Sequence, residues 1–152
     1  MKVEYINPFI KSAFEILQQV ASLNPKKGKL VMKNKPVASY GVSVLVGVVG
    51  EVKGQVAYSL SEETAMKLAS RMMMGMPVEE FDEMAKSAIS ELANMITGNA
   101  STSLSAGGLD VDIAPPTLVT GSDVSMTTSN IQTIVIPLET EIGIFEINMA
   151  LE

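Results

Sequence analysis

The chain has 152 residues, 47% hydrophobic and 18% charged, with a formal net charge of −6. This is the size and make-up of one globular domain (residues 1–152) with its own core, not of a disordered segment. With no Cys and no His, the chain has no disulfide, no thiol nucleophile, no thiolate or imidazole metal site and no Ser–His–Asp triad.

The acidic balance also argues against nucleic acid as a partner. No Lys/Arg run reaches four residues, and the densest basic stretch, PKKGK at 25–29, reads as a loop. The N-terminus, MKVEYINPF, lacks the basic region and apolar run of a signal peptide. The apolar stretch VSVLVGVVG at 42–50 is far shorter than the roughly 18 residues of a spanning helix. A cytoplasmic protein without a membrane segment is expected.

Residues 6–23 repeat apolar side chains at helical spacing, through Phe9, Ile10, Ala13, Phe14, Ile16, Leu17 and Val20. Asn7-Pro8 is a start signal, with Pro at the first helical position. Two β-branched runs follow, 42–49 and 52–60, separated by Gly50, with Gly54 as a candidate bulge; they read as an antiparallel hairpin. Ser61 suits an N-cap, and Glu62 and Glu63 suit the positive end of the helix after it, which should run to Met74 and stop at Gly75. A longer helix is expected over 79–105, ending at Gly107-Gly108. Strands are expected at 117–120, 130–138 and 142–151. The order predicts an α+β two-layer sandwich, with helices packed on a largely antiparallel β-sheet.

The methionines include Met72, Met73, Met74 and Met76. A Met-rich surface can bind partners. The plainer reading, that they fill gaps between a helix and the sheet, is preferred because helical spacing already buries some of them.

The long helix carries the chemistry. At about 100° per residue, Phe81, Ala85, Ala88, Leu92, Ile96 and Asn99 share one sector, flanked by Met84, Ile89 and Met95. That sector is the expected buried stripe, with Asn99 as its one polar member. Asn94 lies roughly 150° from its centre and Glu91 about 60° from Asn94, on the exposed side. Around them come Glu83, Ser87, Ser90, Thr97, Gly98 and Ser101. Apart from Glu83 these residues are small and poor helix formers, and Gly98 costs about 1 kcal/mol relative to Ala. A face of this kind lets another surface approach closely, with Glu91 and Asn94 standing above it. Periodicity alone leaves a second reading open, in which both are simply solvated.

The stretch Glu91-Leu92-Ala93-Asn94-Met95-Ile96-Thr97-Gly98-Asn99-Ala100, followed by Ser-Thr-Ser-Leu-Ser, resembles the signature helix E-x-x-N-x-x-x-G of the CheC/CheX/FliY phosphatases of bacterial and archaeal chemotaxis. LSEETAMKLASRMMMGM at 60–76 is similar to the helix before that signature, and DIAPPTLVTG at 112–121 to the segment after it. The order of elements agrees along nearly the whole chain. The resemblance is to the CheX branch, because the N-terminal helix reads Glu15-Ile16-Leu17-Gln18 with no Gly after it. One active centre is thus implied, and Glu15 and Gln18 read as structural. The chain departs from the pattern at Ala93, where Gly is common; a methyl there is expected to crowd a docked partner slightly.

The resemblance implies hydrolysis of the aspartyl phosphate of a CheY-type response regulator. An acyl phosphate is already activated, and the regulator supplies its own Mg²⁺ and Lys, so the chain needs no metal or cofactor of its own. What remains is to hold a water in line with phosphorus, a matter of positioning and electrostatics. Asn94 suits that role, since a neutral amide both donates and accepts and brings no charge to the phosphoryl group. Glu91 is expected to pair with the regulator's Lys and anchor the helix. Ser87, Gly98 and Ser101 would give the partner clearance. The resemblance also implies a homodimer joined through sheet edges, for which 131–138 and 142–151 are candidates, although the same two stretches read equally well as interior strands. The rival reading is a non-catalytic module that sequesters a regulator or, like the middle domain of FliM, serves in flagellar switch assembly.

Overall fold

The structure, a computed structural model, describes residues 2–33, 37–38, 40–121, 124–126 and 132–152. In chain order the elements are α1 (Val3–Ala21), β1 (Lys26–Lys27), β2 (Val31–Lys33), β3 (Val37–Ala38), β4 (Gly41–Gly50), β5 (Gly54–Leu60), α2 (Glu62–Met72), α3 (Glu83–Ala106), β6 (Val111–Ile113), β7 (Thr117–Gly121), β8 (Ser125–Met126), β9 (Thr133–Thr140) and β10 (Gly143–Leu151). An eight-stranded sheet runs β1-β9-β10-β5-β4-β6, with β2 also beside β9 and β7 also beside β4. Its pairings are all antiparallel, and β3 and β8 form a separate short ladder. The helices lie on one face. Val42, Val44, Val46 and Val48 of β4 alternate into the same apolar cluster as Phe9, Leu17, Leu68, Leu92 and Ile96 of the helices. The expected α+β two-layer architecture is thus present, and so is the hairpin, with Val42 opposite Leu60 and Val48 opposite Gly54.

Local signals place most element ends. Ser61 caps α2 by accepting from the Thr64 N–H at 3.1 Å. α2 stops at Met72, short of the expected Met74, because Met74 and Gly75 turn left-handed, at φ 59° and 85°. Asp82, not foreseen as a cap, accepts from the Ala85 N–H at 2.9 Å and starts α3 at Glu83 rather than at residue 79. Pro8 lies inside α1 instead of opening it: the helix begins at Val3 and ends where Ser22 turns left-handed (φ 54°) and donates its N–H to Gln18. Gly54 takes φ 143° with the Ala150 carbonyl where a Cβ would sit, so only glycine fits there.

Several expectations change. Lys26 and Lys27, expected in a loop, pair with Glu139 and Leu138. Residues 130 and 131 of the expected strand lie outside the described residues; the rest of that strand is β9. β9 and β10 are not edges: β9 is flanked by β10 on one side and by β1 and β2 on the other, and β10 lies between β9 and β5. Met72, Met73 and Met95 do pack against the core, and Met149 is fully buried, but Met74, Met76 and Met84 project into solvent.

Candidate active site

α3 rests on the sheet and against α1. Its buried side is Ala85, Ile89, Leu92, Ala93, Ile96, Thr97, Ala100 and Leu104. The stripe is rotated from the expected one, and three placements change with it. Thr97 was expected in solvent and is fully buried, its hydroxyl lying 2.7 Å from the Tyr58 hydroxyl. Ala93 is buried too, so its methyl faces the protein's own core and not a docked partner. Asn99 is half-buried at the rim and turns to α1, donating Nδ2–H to Glu15 Oε2 at 3.4 Å. The cause is a second neighbour: a hydroxyl can be buried when the sheet supplies a partner for it, and α1 takes the flank that periodicity assigns to the core.

Glu91 stays exposed and Asn94 is half-buried. They line an open groove of about 490 Å³ with Glu83, Lys86, Ser87, Ser90, Pro116, Leu118 and Thr120. Its far wall is β7. Directly opposed residues of antiparallel strands share a face, and β7 pairs Leu118 with Val44 and Thr120 with Val42, both core-facing valines. Leu118 and Thr120 therefore project to the helix side of the sheet. The period of two along 117–120 was readable in the sequence, and it puts Pro116, Leu118 and Thr120 together. Which strand face meets the helix was not readable.

Within the groove, Lys86 Nζ lies 3.5 Å from Glu83 Oε1. Among the described residues, neither the Glu91 carboxylate nor the Asn94 carboxamide has a hydrogen-bond or ion-pair partner. A carboxylate and an amide, both free and one turn apart beside a groove, can receive a cation and a polar group from outside. Ser87, expected at the site, lines the groove. Gly98 and Ser101 are half-buried one and two turns beyond Asn94 and are not among the lining residues. A Cβ on Gly98 would meet Ile113 Cδ1 of β6 at 3.8 Å, an ordinary contact within the protein itself. Part of the small polar stretch also serves its own helix, since Thr102 Oγ1 donates to Gly98 O and Ser103 Oγ to Asn99 O. Among the described residues no three acidic side chains converge on a metal-binding position.

Residues 42–139, which hold the hairpin, α3 and the whole groove, match the model of the family described as chemotaxis phosphatase CheX. The chain belongs to the CheX family. It is 37% identical over 126 residues to the CheY-P phosphatase CheX of Thermotoga maritima, covering 83% of this chain and 81% of that one. Among solved structures, a CheC-like superfamily protein from Shewanella sp. PV-4 superposes with a TM-score of 0.91 at 32% identity, over 100% of this chain and 99% of the other. The CheX of a CheX–CheY–BeF₃–Mg²⁺ complex from Borrelia burgdorferi superposes with a TM-score of 0.85 at 29% identity, over 99% of each chain. The expected resemblance is thus borne out in both sequence and fold. As a CheX member the chain carries one E-x-x-N-x-x-x-G helix, α3. On α1, Glu15 is engaged by Asn99.

Proposed function

We infer that this chain is a phosphatase that removes the aspartyl phosphate of a CheY-type response regulator. CheY-P phosphatase is the name of its Thermotoga relative, and CheY is the partner in the Borrelia complex. The observation that carries the reading within this chain is the unpartnered Asn94 amide, set beside an unpartnered Glu91 at the mouth of the α3–β7 groove.

In the proposed reaction the Asn94 carboxamide oxygen accepts a hydrogen bond from a water and turns its lone pair toward phosphorus. The water oxygen bonds to phosphorus as the phosphorus–oxygen bond to the aspartyl group breaks. The aspartate leaves as a carboxylate, and both protons of the water stay on the inorganic phosphate, released as dihydrogen phosphate. Asn94 neither gains nor loses a proton. Its contribution is orientation without charge. Glu91, a carboxylate, would be repelled by the phosphoryl group if it came close, so its place is on a partner cation at the rim. Mg²⁺, in this reading, belongs to the regulator and supplies charge neutralisation there. Ser87 and Ser90 keep the helix face low enough for the partner to approach.

The same proposal places the chain in the cytoplasm; no helix among the described residues is long and apolar enough to cross a membrane. A homodimer belongs to the proposal as well, with its contact moved from β9 and β10 to an outer strand. Val31 and Met32 of β2 are 39% and 54% exposed on such an edge. Sedimentation of the isolated chain tests the dimer. Decay of a ³²P-labelled regulator with substoichiometric protein tests the function. A phosphatase clears many equivalents per molecule, whereas a sequestering or assembly module leaves decay unchanged or slows it.

A further inference from the structure

Two buried hydroxyls beneath α3 take no part in the chemistry described above. Tyr58 stands on β5 under the helix, and its ring leans on Phe145 with centroids 5.7 Å apart. Tyr58 is 1% exposed and Thr97 0%. Their oxygens lie 2.7 Å apart, and Thr97 Oγ1 is also 2.7 Å from Ala93 O. A hydroxyl has one proton and a carbonyl has none to give. Thr97 therefore spends its proton on Ala93, and Tyr58 must donate to Thr97. The direction of the chain follows: Tyr58 O–H to Thr97 Oγ1, then Thr97 O–H to Ala93 O. The Ala93 carbonyl and the Asn94 N–H share one planar peptide unit. The relay that starts on the sheet thus ends on the peptide that carries Asn94.

We propose that Tyr58 and Thr97 are positioning residues, a buried hydroxyl relay that pins the Ala93–Asn94 peptide to the sheet and sets the angle at which the Asn94 amide meets its water. The proposal rests on the reading of Asn94 given above. The relay is dry, so its bonds are unscreened and polarise one another. A Thr that bonds back onto the carbonyl four residues earlier also bends its helix slightly. The bond spans residues 93–97, so a bend of that kind would fall on the turn that holds Asn94. A plain stability role accounts for less. Replacing both partners of a buried hydrogen bond by apolar groups of the same shape is close to neutral, so a Phe and Val pair would fill the space about as well. What the hydroxyls add is a fixed direction, and an amide displaced by about 1 Å loses on the order of a hundredfold in rate.

The double variant Tyr58→Phe/Thr97→Val removes both hydroxyls and leaves no orphaned side-chain group. It should melt close to wild type and bind a beryllofluoride-loaded CheY-type regulator within about twofold, while kcat for phosphate loss falls about tenfold to hundredfold. Thr97→Ser, which keeps the hydroxyl, should hold the rate near wild type. A double variant with the wild-type kcat overturns the proposal, as does a rate loss matched by an equal loss of binding. Asn94→Ala measured alongside separates the two levels. If Asn94→Ala is inactive and the double variant fully active, only the relay is wrong. If Asn94→Ala is itself fully active, the reading of the site falls and the relay with it.

Discussion

α1 and α3 pack against each other on the same sheet, and each carries an acid and an amide three residues apart, Glu15 with Gln18 and Glu91 with Asn94. In both helices the pair reaches solvent or the rim. On α1 the acid is occupied, accepting from Asn99, and its helix buries large side chains such as Phe9, Ile16 and Leu17. On α3 both members lack partners, the small Ser87 and Ser90 lie next to them in the lining, with Glu83 and Lys86 a turn further back, and β7 closes a groove against them. The motif alone therefore does not make a site. Glu-x-x-amide becomes chemically available when the helix face is low and a second element stands beside it.

The largest expected effect comes from filling that space. Ser90→Arg puts a long side chain into the groove at a half-exposed position, so the fold should survive while regulator binding falls on the order of a hundredfold. Gln19→Arg on the exposed side of α1 should change neither, and a loss there would break the contrast between the helices. Calorimetry with a beryllofluoride-loaded regulator reads both.

A smaller loss is expected for Glu91→Gln. A hydrogen bond to a charged group contributes about 1.5–3 kcal/mol and a neutral one about 0.5–1.5 kcal/mol; the glutamine oxygen keeps the neutral bond, so the difference of about 1.4 kcal/mol should weaken binding about tenfold. Wild-type affinity should fall with added salt, and the variant should lose much of that dependence. An unchanged salt response would show that Glu91 meets no cation.

Gly98 gives the smallest effect and sharpens the boundary of the site. Alanine should stabilise α3 by up to about 1 kcal/mol, since its methyl reaches only ordinary contact with Ile113. Leucine should press on Ile113 and cost about 1–3 kcal/mol by overpacking. Thermal melts of the two decide it. A Gly98→Leu chain that melts like wild type yet no longer binds would return Gly98 to the docking face, where the sequence pattern had put it.

The features legible in the sequence were those with a long period or a local cap. The apolar runs of α1 and β4, the Ser61 cap and the exposure of Glu91 follow from spacing and side-chain chemistry alone. The errors have one physical source, the partner that a residue finds across the fold. Thr97 counts as polar in any periodic pattern, and only Tyr58 beneath it makes burial acceptable. Asn99 fell in the apolar sector because α1, with Glu15 waiting, is invisible to a helical wheel. β9 and β10 read equally well as edge or interior strands until β1, β2 and β5 are placed beside them. The groove wall was missed for the same reason: Leu118 and Thr120 acquire a face only through their pairing with Val44 and Val42.

The central claim is that Asn94 acts in the reaction and not in holding the complex together. Asn94→Ala tests it when decay and binding are measured on the same preparation. No hydrogen bond inside the described protein is lost with this amide, so the variant should fold normally. It should bind a beryllofluoride-loaded regulator within about threefold of wild type, a difference below about 1 kcal/mol, while the phosphorylated regulator decays at its own unassisted rate. Decay accelerated as strongly as by the wild-type chain would contradict the account.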